Sequence, residues 1–555
     1  MASKALRDFT PKNSATGNTS QLKKAKKGQK RNAAGGFTFT VKGMDRANRF
    51  LILGSESNFY SPGSKLTAQN AKTLIKLAED PASSKELVDL IVKVSTEGRA
   101  PKQDPGLFAL AIASSHGDAD SKRYALSKLG EVARTGSTLF TFVTYVLQFR
   151  GWGPALTRAV REWYTDKDVD KAAYQIVKYR SREGYDHKRL FNVSHPKTKG
   201  TPFEGLSRFV LYEDSSDAPE IVKGFLLAQA PGADVPALIS EYGLTWEMIP
   251  TDRLNDVDVW DALLPNTPLG ALVRQLPRLT RIGYLAPLSK NTQEIVKRLT
   301  DQNEITRSRI HPISVLTALK TYSSGHSVKG STSWTPDQKI VSALDKAFYL
   351  AFKNVEATGN RVLVGLDVSG SMGWGGITGH TNLTPREITA AIAMVIESVE
   401  PSTHIIGFTG GVSGSYGRRS GLKTAGAGKY ASTVTPLDDV VNSTRSLKDV
   451  VSSVSGLPMG GTDIALPMLY AMEQGLEVDT FLILTDNETW AGGTHVYQAL
   501  NQYRQASGIE AKLVVFSTEA TGNTVADPSD PLQLDIAGFD SGAVQVLSEF
   551  MRGNI

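Results

Sequence analysis

The strongest constraint on the fold is an apolar run that ends in a cluster of oxygen-bearing side chains. Residues 361–364 read Arg-Val-Leu-Val, and residues 365–372 continue as Gly-Leu-Asp-Val-Ser-Gly-Ser-Met. The β-branched run predicts a buried strand. Asp367, Ser369 and Ser371 then lie where that strand opens into a loop. This pattern predicts an α/β sheet with a ligand site at the carboxyl edge of its strands.

Two later junctions add oxygen ligands to the same edge. Thr462 lies in the Gly-Gly-Thr-Asp sequence of residues 460–463, and Asp486 follows the apolar run 481–484. Magnesium and similar hard cations prefer one or two carboxylates completed by hydroxyls and water. We therefore expect Mg²⁺, or another divalent cation, to bind here. The combined motif resembles the metal-ion-dependent adhesion site of the von Willebrand factor A fold. The expected ligands are Asp367, Ser369, Ser371, Thr462 and Asp486.

Enzyme motifs fit this region poorly, so binding is favoured over catalysis and we expect no enzymatic activity. The nucleophile elbow G-x-S-x-G is not matched, because Asp367 takes the first glycine position around Ser369. A phosphate-binding loop needs a terminal G-K-[ST], which residues 373–376 lack. His311 and His495 are interpreted as packing or capping residues rather than as general bases.

Length and composition set the remaining bounds. A chain of 555 residues is too long for one compact core, so at least two domains are expected. It contains no cysteine, which excludes disulfides and cysteine-ligated zinc or iron–sulfur sites. No apolar run approaches membrane-spanning length and no signal peptide is evident. A cytoplasmic protein without membrane contact is therefore expected.

The positive charge is concentrated at the start of the chain. Residues 1–35 contain nine Lys or Arg residues against Asp8 alone, a net charge of +8, whereas the whole chain carries +6. Because this segment has few core-forming residues, residues 1–36 are predicted to be a disordered basic tail. Residues 23–31 would attract phosphates without reading sequence, or would simply aid solubility.

Residues 37–357 have apolar residues at helical spacing, separated by short Gly, Pro and Asp breakers. No strand pattern interrupts them and no strict repeat is found, so a helix-pair solenoid or bundle is predicted. The predicted helices are 68–79, 84–96, 105–116, 119–134, 138–149, 154–164, 169–179, 262–276, 312–321 and 336–354.

One stretch of this helical region, residues 178–199, is unusually basic. Lys178 and Arg182 are four residues apart and are predicted to share one helix face. Cations with imidazoles and Tyr185 provide the phosphate and stacking contacts that are used on RNA. A solvated face with two structural histidines explains the same charges. The candidate RNA-binding residues are Lys178, Arg180, Arg182, His187, Lys188, Arg189 and His195.

Several separated motifs together resemble the Ro autoantigen family, which is defined by the TROVE domain. The resemblance covers nearly the whole chain after the tail, and an unrelated A-domain protein would not carry the helical set. Residues 202–250 match weakly, and neither the basic tail nor the Gly- and Ser-rich insertion 407–429 is a family signature. The matching residues are 44–50, 54–56, 107–112, 139–142, 184–188, 190, 194–195, 309–312, 318–322, 334, 336, 347–349, 485–493, 511–513, 526–528 and 538–543.

The resemblance implies a ring of HEAT-like helical repeats closed by a von Willebrand factor A domain, an α plus α/β fold. It also implies binding of small noncoding Y RNA on the outer surface and of single-stranded 3′ ends of misfolded RNA. In the family, a basic helix and a following histidine motif contact Y RNA. Lys178, Arg182 and His195 match those positions, with His187 and Lys188 nearby.

Residues 358–555 alternate strands and helices as a doubly wound sheet requires. The domain prediction is thus a basic tail over 1–36, a helical RNA-binding domain over 37–357 and an A-like domain over 358–555. Strands are predicted at 361–368, 404–408, 480–485 and 512–517, with helices at 384–400, 447–455, 464–474, 495–506 and 542–551.

Two classes of function follow from these features. The first is a monomeric RNA-binding scaffold for RNA quality control, with an exoribonuclease as a possible type of partner. The second is a metal-dependent protein-adhesion module on a helical scaffold, with the basic stretch merely solvated. They differ in whether RNA copurifies with the protein.

Overall fold

The computed structural model describes residues 6, 10, 13, 15–32, 34–40, 43–53, 63–98, 100, 102–327, 331–373, 383–410, 434–457, 459–487, 489–518, 523–537 and 541–553. It divides into two compact units. A sheet unit comprises Met1–Thr67, Leu299–Gly330 and Val341–Ile555, and a helical unit comprises Ala68–Arg298 and Ser331–Ile340. Most of the insertion 407–429, residues 411–429, lies outside the described residues.

The helical unit is built from short helices that pair with their neighbours. Asp104–Ala113 packs against Gly136–Phe149, and the ring of Phe108 meets those of Tyr145 and Phe149 at centroid distances of 5.6 and 5.7 Å. The helices are Gly63–Glu79, Ser84–Thr96, Asp104–Ala113, Ala119–Ser127, Leu129–Val132, Gly136–Phe149, Pro154–Thr165, Val169–Lys178, His187–Ser194, Glu204–Tyr212, Glu220–Gln229, Val235–Tyr242, Val257–Leu263, Leu269–Arg281, Lys290–Thr300 and Gln338–Leu350. Three of these helices, Gly63–Glu79, Lys290–Thr300 and Gln338–Leu350, cross the boundary between the two units.

Side-chain caps set several of these helix starts. The Asp168 carboxylate accepts from the amides of Asp170 and Lys171, and Thr135 forms a capping box with Thr138. The predicted helix 119–134 is wrong in one respect, because the chain breaks at Lys128 into two helices. The predicted helix 262–276 is likewise two helices, Val257–Leu263 and Leu269–Arg281.

The sheet unit is organised on a six-stranded sheet. Its strands are β5 Arg361–Asp367, β6 Ser402–Phe408, β7 Val434–Pro436, β8 Thr480–Thr485, β9 Lys512–Ser517 and β11 Gln533–Ala537. Their order across the sheet is β11-β9-β8-β5-β6-β7. All neighbours are parallel except the edge strand β7, which runs antiparallel to β6. Strands β5, β8 and β9 are buried almost throughout, as central parallel strands with both faces covered must be.

Helices alternate with these strands, so the predicted doubly wound arrangement is confirmed. The edge strands β7 and β11 were not predicted. Pro385–Val399 begins with Pro385 at its first position and a capping box between Thr384 and Glu387. The helices of this unit are Gly43–Leu53, Gln302–Ser308, Pro312–Ser323, Pro385–Val399, Leu447–Ser455, Leu466–Gln474, Val496–Ser507 and Ser541–Arg552.

The start of the chain differs from the prediction of a disordered tail. Strand β1 (Gln29–Arg31) pairs with β2 (Phe37–Thr40), and β2 pairs with β10 (Asn523–Thr524) of the sheet unit. The described residues of 15–40, called the strap below, therefore lie ordered on this unit. Composition misled the prediction, because strap residues satisfy their polar groups against loops that are distant in sequence.

The compact units also differ from the predicted domain boundaries. Residues before Ala68 belong with the sheet unit, since strand β2 of the strap pairs with β10 of that unit. Residues 299–330 join it as well, because helix Pro312–Ser323 packs on Pro385–Val399 and Lys320 Nζ lies 2.5 Å from Glu387 Oε1. Among the described residues, no helix is both long and apolar enough to cross a membrane.

Candidate metal centre and candidate nucleic-acid interface

Four of the five predicted metal ligands meet at the carboxyl edge of the sheet. Strands β5 and β8 are adjacent and parallel, with Leu366 opposite Leu484. Asp367 ends β5, and Asp486 follows the last residue of β8. Parallel register therefore brings two carboxylates from distant parts of the sequence to one edge, as the sequence pattern predicts.

Hydrogen bonds join four of the five predicted ligands into one cluster. Asp367 Oδ1 accepts from the Ser369 amide at 2.9 Å, and its Oδ2 accepts from the Thr485 hydroxyl at 2.6 Å. The hydroxyl oxygens of Ser369 and Ser371 are 3.2 Å apart. Ser371 Oγ in turn donates to Asp486 Oδ2 at 2.5 Å. The cluster thus presents several oxygen atoms within a small buried region.

Thr462 lies in a separate loop, which is hydrogen-bonded to residues that follow Asp486. Its carbonyl oxygen accepts from the amides of Trp490 and Ala491 at 3.1 and 3.0 Å, and its side chain is buried. These bonds hold the loop that contains Thr462 beside the loop that follows β8. The role of Thr462 as a ligand stays a prediction.

The electrostatics of the cluster are those of two carboxylates held close together in a buried site. Burial and, next, the neighbouring Asp486 carboxylate together raise the pKa of Asp367 well above its ordinary value. Arg386 is buried beside them and donates from Nη2 to the Ser369 carbonyl oxygen at 3.1 Å. A divalent cation would stabilise both carboxylates in their charged forms. The donor set of two carboxylates and three hydroxyls therefore fits magnesium.

Sequence reasoning missed a carboxylate and its partner beside this cluster. Asp463 follows Thr462, is buried, and accepts from the side-chain amide of Gln21 at 2.8 Å. Burial raises the pKa of Asp463 to about 6. Its place directly after Thr462 was a usable signal. Gln21 had none, because 442 positions separate the two residues.

The basic stretch does not form the single helix face predicted for Lys178 and Arg182. Helix Val169–Lys178 ends at Lys178, and Arg182 lies in a hairpin of β3 (Ser181–Arg182) and β4 (Tyr185–Asp186). The turn residues Glu183 and Gly184 have φ of 54° and 78°, values that a right-handed helix cannot accommodate. The i, i+4 prediction is therefore wrong.

Most of the predicted RNA-binding cations are nevertheless exposed together on the hairpin and the following helix, His187–Ser194. The Arg189 guanidinium lies 4.3 Å from the ring centroid of Tyr185. Arg182 and Lys188 have acidic neighbours, Glu183 at 3.3 Å and Glu213 at 3.9 Å. We call this group the hairpin surface. Its exposed residues are Arg180, Arg182, Lys188, Arg189 and His195, joined by Lys197 and Lys199, which were not singled out.

Lys178 is less available than its neighbours. Its side chain is 14% exposed, forms an ion pair with Glu247 at 3.2 Å, and donates to the Tyr174 hydroxyl at 2.9 Å. Those contacts already neutralise its charge and hold its ammonium group. Lys178 is thus placed at the base of the hairpin surface, and an RNA contact there stays a prediction.

His187 is a correction to the predicted RNA-contacting set. Its ring is buried, with Nδ1 2.8 Å from the Tyr164 hydroxyl and Nε2 2.8 Å from the Tyr179 carbonyl oxygen. Burial lowers the pKa of His187 to about 4, so the ring is neutral near pH 7. With both nitrogens engaged internally, His187 positions the hairpin and does not face a ligand.

The two other histidines act as interpreted from the sequence. His311 Nδ1 accepts from the amide of Ile313, two residues on, at the start of helix Pro312–Ser323. His495 is buried, with Nε2 2.8 Å from the Lys23 carbonyl oxygen and Nδ1 3.2 Å from the side-chain nitrogen Nε2 of Gln29. The capping and packing interpretation is confirmed for both.

Comparison with known families and structures identifies both halves of the chain. The model of the TROVE domain matches residues 30–216 and 240–323, and that of the Ro60 vWA domain matches residues 361–551. The gap between the TROVE segments lies within residues 202–250, where the sequence resemblance was weak. The first segment begins inside the strap, which was assigned to no family motif.

Two relatives named RNA-binding protein RO60 extend the match to nearly the whole chain. The protein of Deinococcus radiodurans is 36% identical over 97% of this chain and 98% of its own length. The protein of Caenorhabditis elegans is 33% identical, covering 96% and 92%. The crystal structure of the Deinococcus radiodurans RO (RSR) protein matches with a TM-score of 0.71 and 33% identity, covering 92% of this chain and 99% of that one.

These matches confirm the predicted family and fold class, a helical domain joined to a von Willebrand factor A-like domain. They cover the strands and loops that carry the metal cluster and the helices that carry the hairpin surface. The chain therefore belongs to the Ro60 family.

Proposed function

We propose that this chain is an RNA-binding scaffold that forms a ribonucleoprotein and carries out no reaction of its own. The observation that carries the proposal is the hairpin surface, a group of exposed cations held on a rigid hairpin and helix within the TROVE match. Such a surface contacts phosphates, and Tyr185 and His195 add groups for stacking or hydrogen bonding. The two relatives are named RNA-binding proteins.

The proposed ligands are a small noncoding Y RNA at the hairpin surface and the single-stranded 3′ ends of misfolded RNA. The cationic side chains would hold the phosphates of a structured RNA. His187, bonded to Tyr164 and Tyr179, would hold the hairpin in shape without touching the ligand. We further propose that the protein acts as a cytoplasmic monomer.

In the A-like domain we propose a magnesium ion held by Asp367, Ser369, Ser371, Thr462 and Asp486. When bound, the ion offers a Lewis-acid position to an oxygen ligand such as a carboxylate of a partner protein. The chain's own residues position it: Thr485 and Ser369 orient Asp367, and Ser371 orients Asp486. An exoribonuclease is the class of partner that RNA quality control would need.

The alternative of an adhesion module without specific RNA binding is less well supported. It would leave the exposed cations of the hairpin surface without a function. It also fits poorly with relatives that are named for RNA binding over almost their full length.

The test is sequencing of the RNA that stays bound to the protein through gentle purification from its native host. We expect one small structured RNA, together with fragments that end in single-stranded 3′ tails. A variant in which Arg182, Lys188 and Arg189 are changed to Gln is the control and should lose the structured RNA. Recovery of bare protein, or of a random sample of cellular RNA, would contradict the proposal.

A further inference from the structure

The strap carries a second group of cations on the other compact unit. Between residues 15 and 40 there are six Lys or Arg residues and no Asp or Glu. In the described part of the chain, one strap cation forms an ion pair, Lys26 with Asp527. The other five are exposed and have no carboxylate partner there. They are Lys23, Lys24, Lys27, Lys30 and Arg31.

Hydrogen bonds to buried polar groups hold the backbone that carries these cations in place. Gln29 Oε1 accepts from the amides of Ala25 and Lys26 at 2.9 and 3.0 Å, which closes the loop before β1. His495 reaches the same loop through the Lys23 carbonyl oxygen at 2.8 Å. The Gln21 amide donates to the Gly492 carbonyl oxygen at 2.9 Å. Buried polar groups thus anchor the loop while its lysine side chains remain in solvent.

This anchoring changes what the charges can do. A disordered basic tail loses conformational entropy when it binds, which offsets part of the attraction to phosphates. A strap that is already ordered loses less, so its cations act as a preformed surface. Five cations within nine residues are dense enough to follow a nucleic-acid backbone over several phosphates.

An exposed aromatic ring lies beside the strap. Trp490 is 38% exposed, although most large apolar side chains of this unit are buried. The strap contacts Thr489, the residue before Trp490, because Asn32 Nδ2 donates to the Thr489 carbonyl oxygen at 3.0 Å. Gly36 packs so closely there that a Cβ would collide with that oxygen. One end of the Trp490 ring lies against Gly461, and more than a third of the residue's surface stays in contact with solvent.

We propose that the strap and Trp490 form a second RNA-binding surface, specific for single strands, on the A-like domain. Cations that follow a backbone, together with an aromatic ring for a base, are the combination used by proteins that bind single strands without reading sequence. A duplex would offer phosphates but no free base face. This inference rests on the proposed RNA-binding function and adds a second site to it.

The charges are tested by changing all five exposed strap cations to Gln in the full-length protein. The probe is a fluorescein-labelled oligouridine of about 16 nucleotides, bound by anisotropy at several salt concentrations. We expect weaker binding and a shallower dependence of log affinity on log salt, by about 0.7 for each cation that contacts a phosphate. A Lys-to-Arg version of the strap should bind as the wild type does.

A matched control removes the same charge from the helical unit. Exposed helix positions Lys72, Lys76, Lys85, Lys93 and Arg123 are changed to Gln. This variant should keep the wild-type salt dependence for oligouridine. An equal loss in both variants would show a general effect of net charge and would overturn the strap surface.

The aromatic contact is tested separately with Trp490→Ala and Trp490→Phe. Loss of one stacked base should weaken oligouridine binding about ten-fold without changing the salt dependence. Phe should restore most of the affinity, and a fully paired RNA duplex should be insensitive to both changes. Equal affinity of the alanine variant and wild type would remove Trp490 from the surface.

The outcomes separate this inference from the proposed function. If wild type binds neither oligouridine nor structured RNA, the RNA-binding proposal itself fails. If wild type binds oligouridine and the strap Gln variant has the same affinity and salt dependence, only the strap surface is rejected. If the Gln variant unfolds, pairwise Lys-to-Gln changes are measured instead, and unchanged salt dependence in every pair rejects the surface. Selective capture of an acidic peptide in place of RNA would also overturn the assignment to RNA.

Discussion

The metal cluster and the hairpin surface illustrate two ways in which a fold presents a site. The cluster is made of buried groups from separate loops that bond to one another, such as Ser371 to Asp486. The hairpin surface is made of exposed groups that are close in sequence, on a backbone that His187 anchors to Tyr164. The first therefore depends on tertiary structure for its existence, whereas the second depends on it mainly for shape.

This difference predicts opposite responses to mutation. A change in the cluster should alter ligand binding and local structure together, because each oxygen also serves as a partner for its neighbours. A change on the hairpin surface should alter binding and leave folding nearly untouched, since exposed charges contribute little to stability.

The largest effect is expected for Asp367→Ala at the cluster. Removing a buried carboxylate that is a predicted ligand should abolish magnesium binding in calorimetric titration. The control is Asp479→Asn, a carboxylate that pairs with Arg361 at the opposite edge of the same sheet. It should bind magnesium as wild type does. Identical flat traces for wild type and Asp367→Ala would contradict the metal proposal.

The next effect concerns stability at low pH and comes from His187. Its pKa is lowered to about 4 in the folded state, against an ordinary value of 6.5. Between these values the unfolded chain binds more protons, so the contribution is present above pH 6.5 and is lost as pH falls toward 4. The loss should reach about 3 kcal/mol for this group. Denaturant unfolding measured from pH 7 to pH 4 checks it.

His311 also has a pKa lowered to about 4 by burial, and it supplies the matched comparison. His187→Gln should reduce the pH dependence of unfolding, with the part due to His311 remaining. Conversely, His311→Gln should leave the part due to His187. A pH dependence that is the same in wild type and both variants would show that neither ring is held neutral.

A smaller and purely functional effect is expected on the hairpin surface. Changing Arg182, Lys188, Arg189 and His195 to Gln should weaken binding of a structured RNA. It should also flatten the salt dependence by about 0.7 to 0.9 for each lost phosphate contact. The melting temperature should stay close to that of wild type. A large drop in melting temperature with unchanged salt dependence would show that these residues serve folding and not RNA binding.

The smallest effect is expected for Gln21→Ala in the strap. It removes one hydrogen-bond partner of the buried Asp463 carboxylate and one of the Thr489 hydroxyl. The free energy of unfolding should fall by about 1–3 kcal/mol, because several buried hydrogen bonds of one side chain are lost. Leu22→Ala, at an exposed neighbour, should have no measurable effect. Equal stability of the two variants would return the strap to the status of a loose tail.

Local sequence patterns were enough to predict much of this protein. The β-branched runs at β5 and β8, the Thr384-Pro385 helix start and the apolar spacing of the helical region each act within a few residues. The five predicted metal ligands could be named because parallel strands end at one edge, which is a general rule of such sheets. The family resemblance added the overall arrangement of domains.

Elements and sites whose causes are local, or follow a general rule of the fold, could thus be predicted from the sequence. The three-dimensional structure was needed to show that Gln21 bonds to Asp463 and that His187 is buried between Tyr164 and Tyr179. It also decided that the Lys-rich start of the chain lies ordered on the sheet unit. These outcomes depend on which distant polar groups meet, and the free energy of a buried hydrogen bond leaves no periodic trace in a sequence.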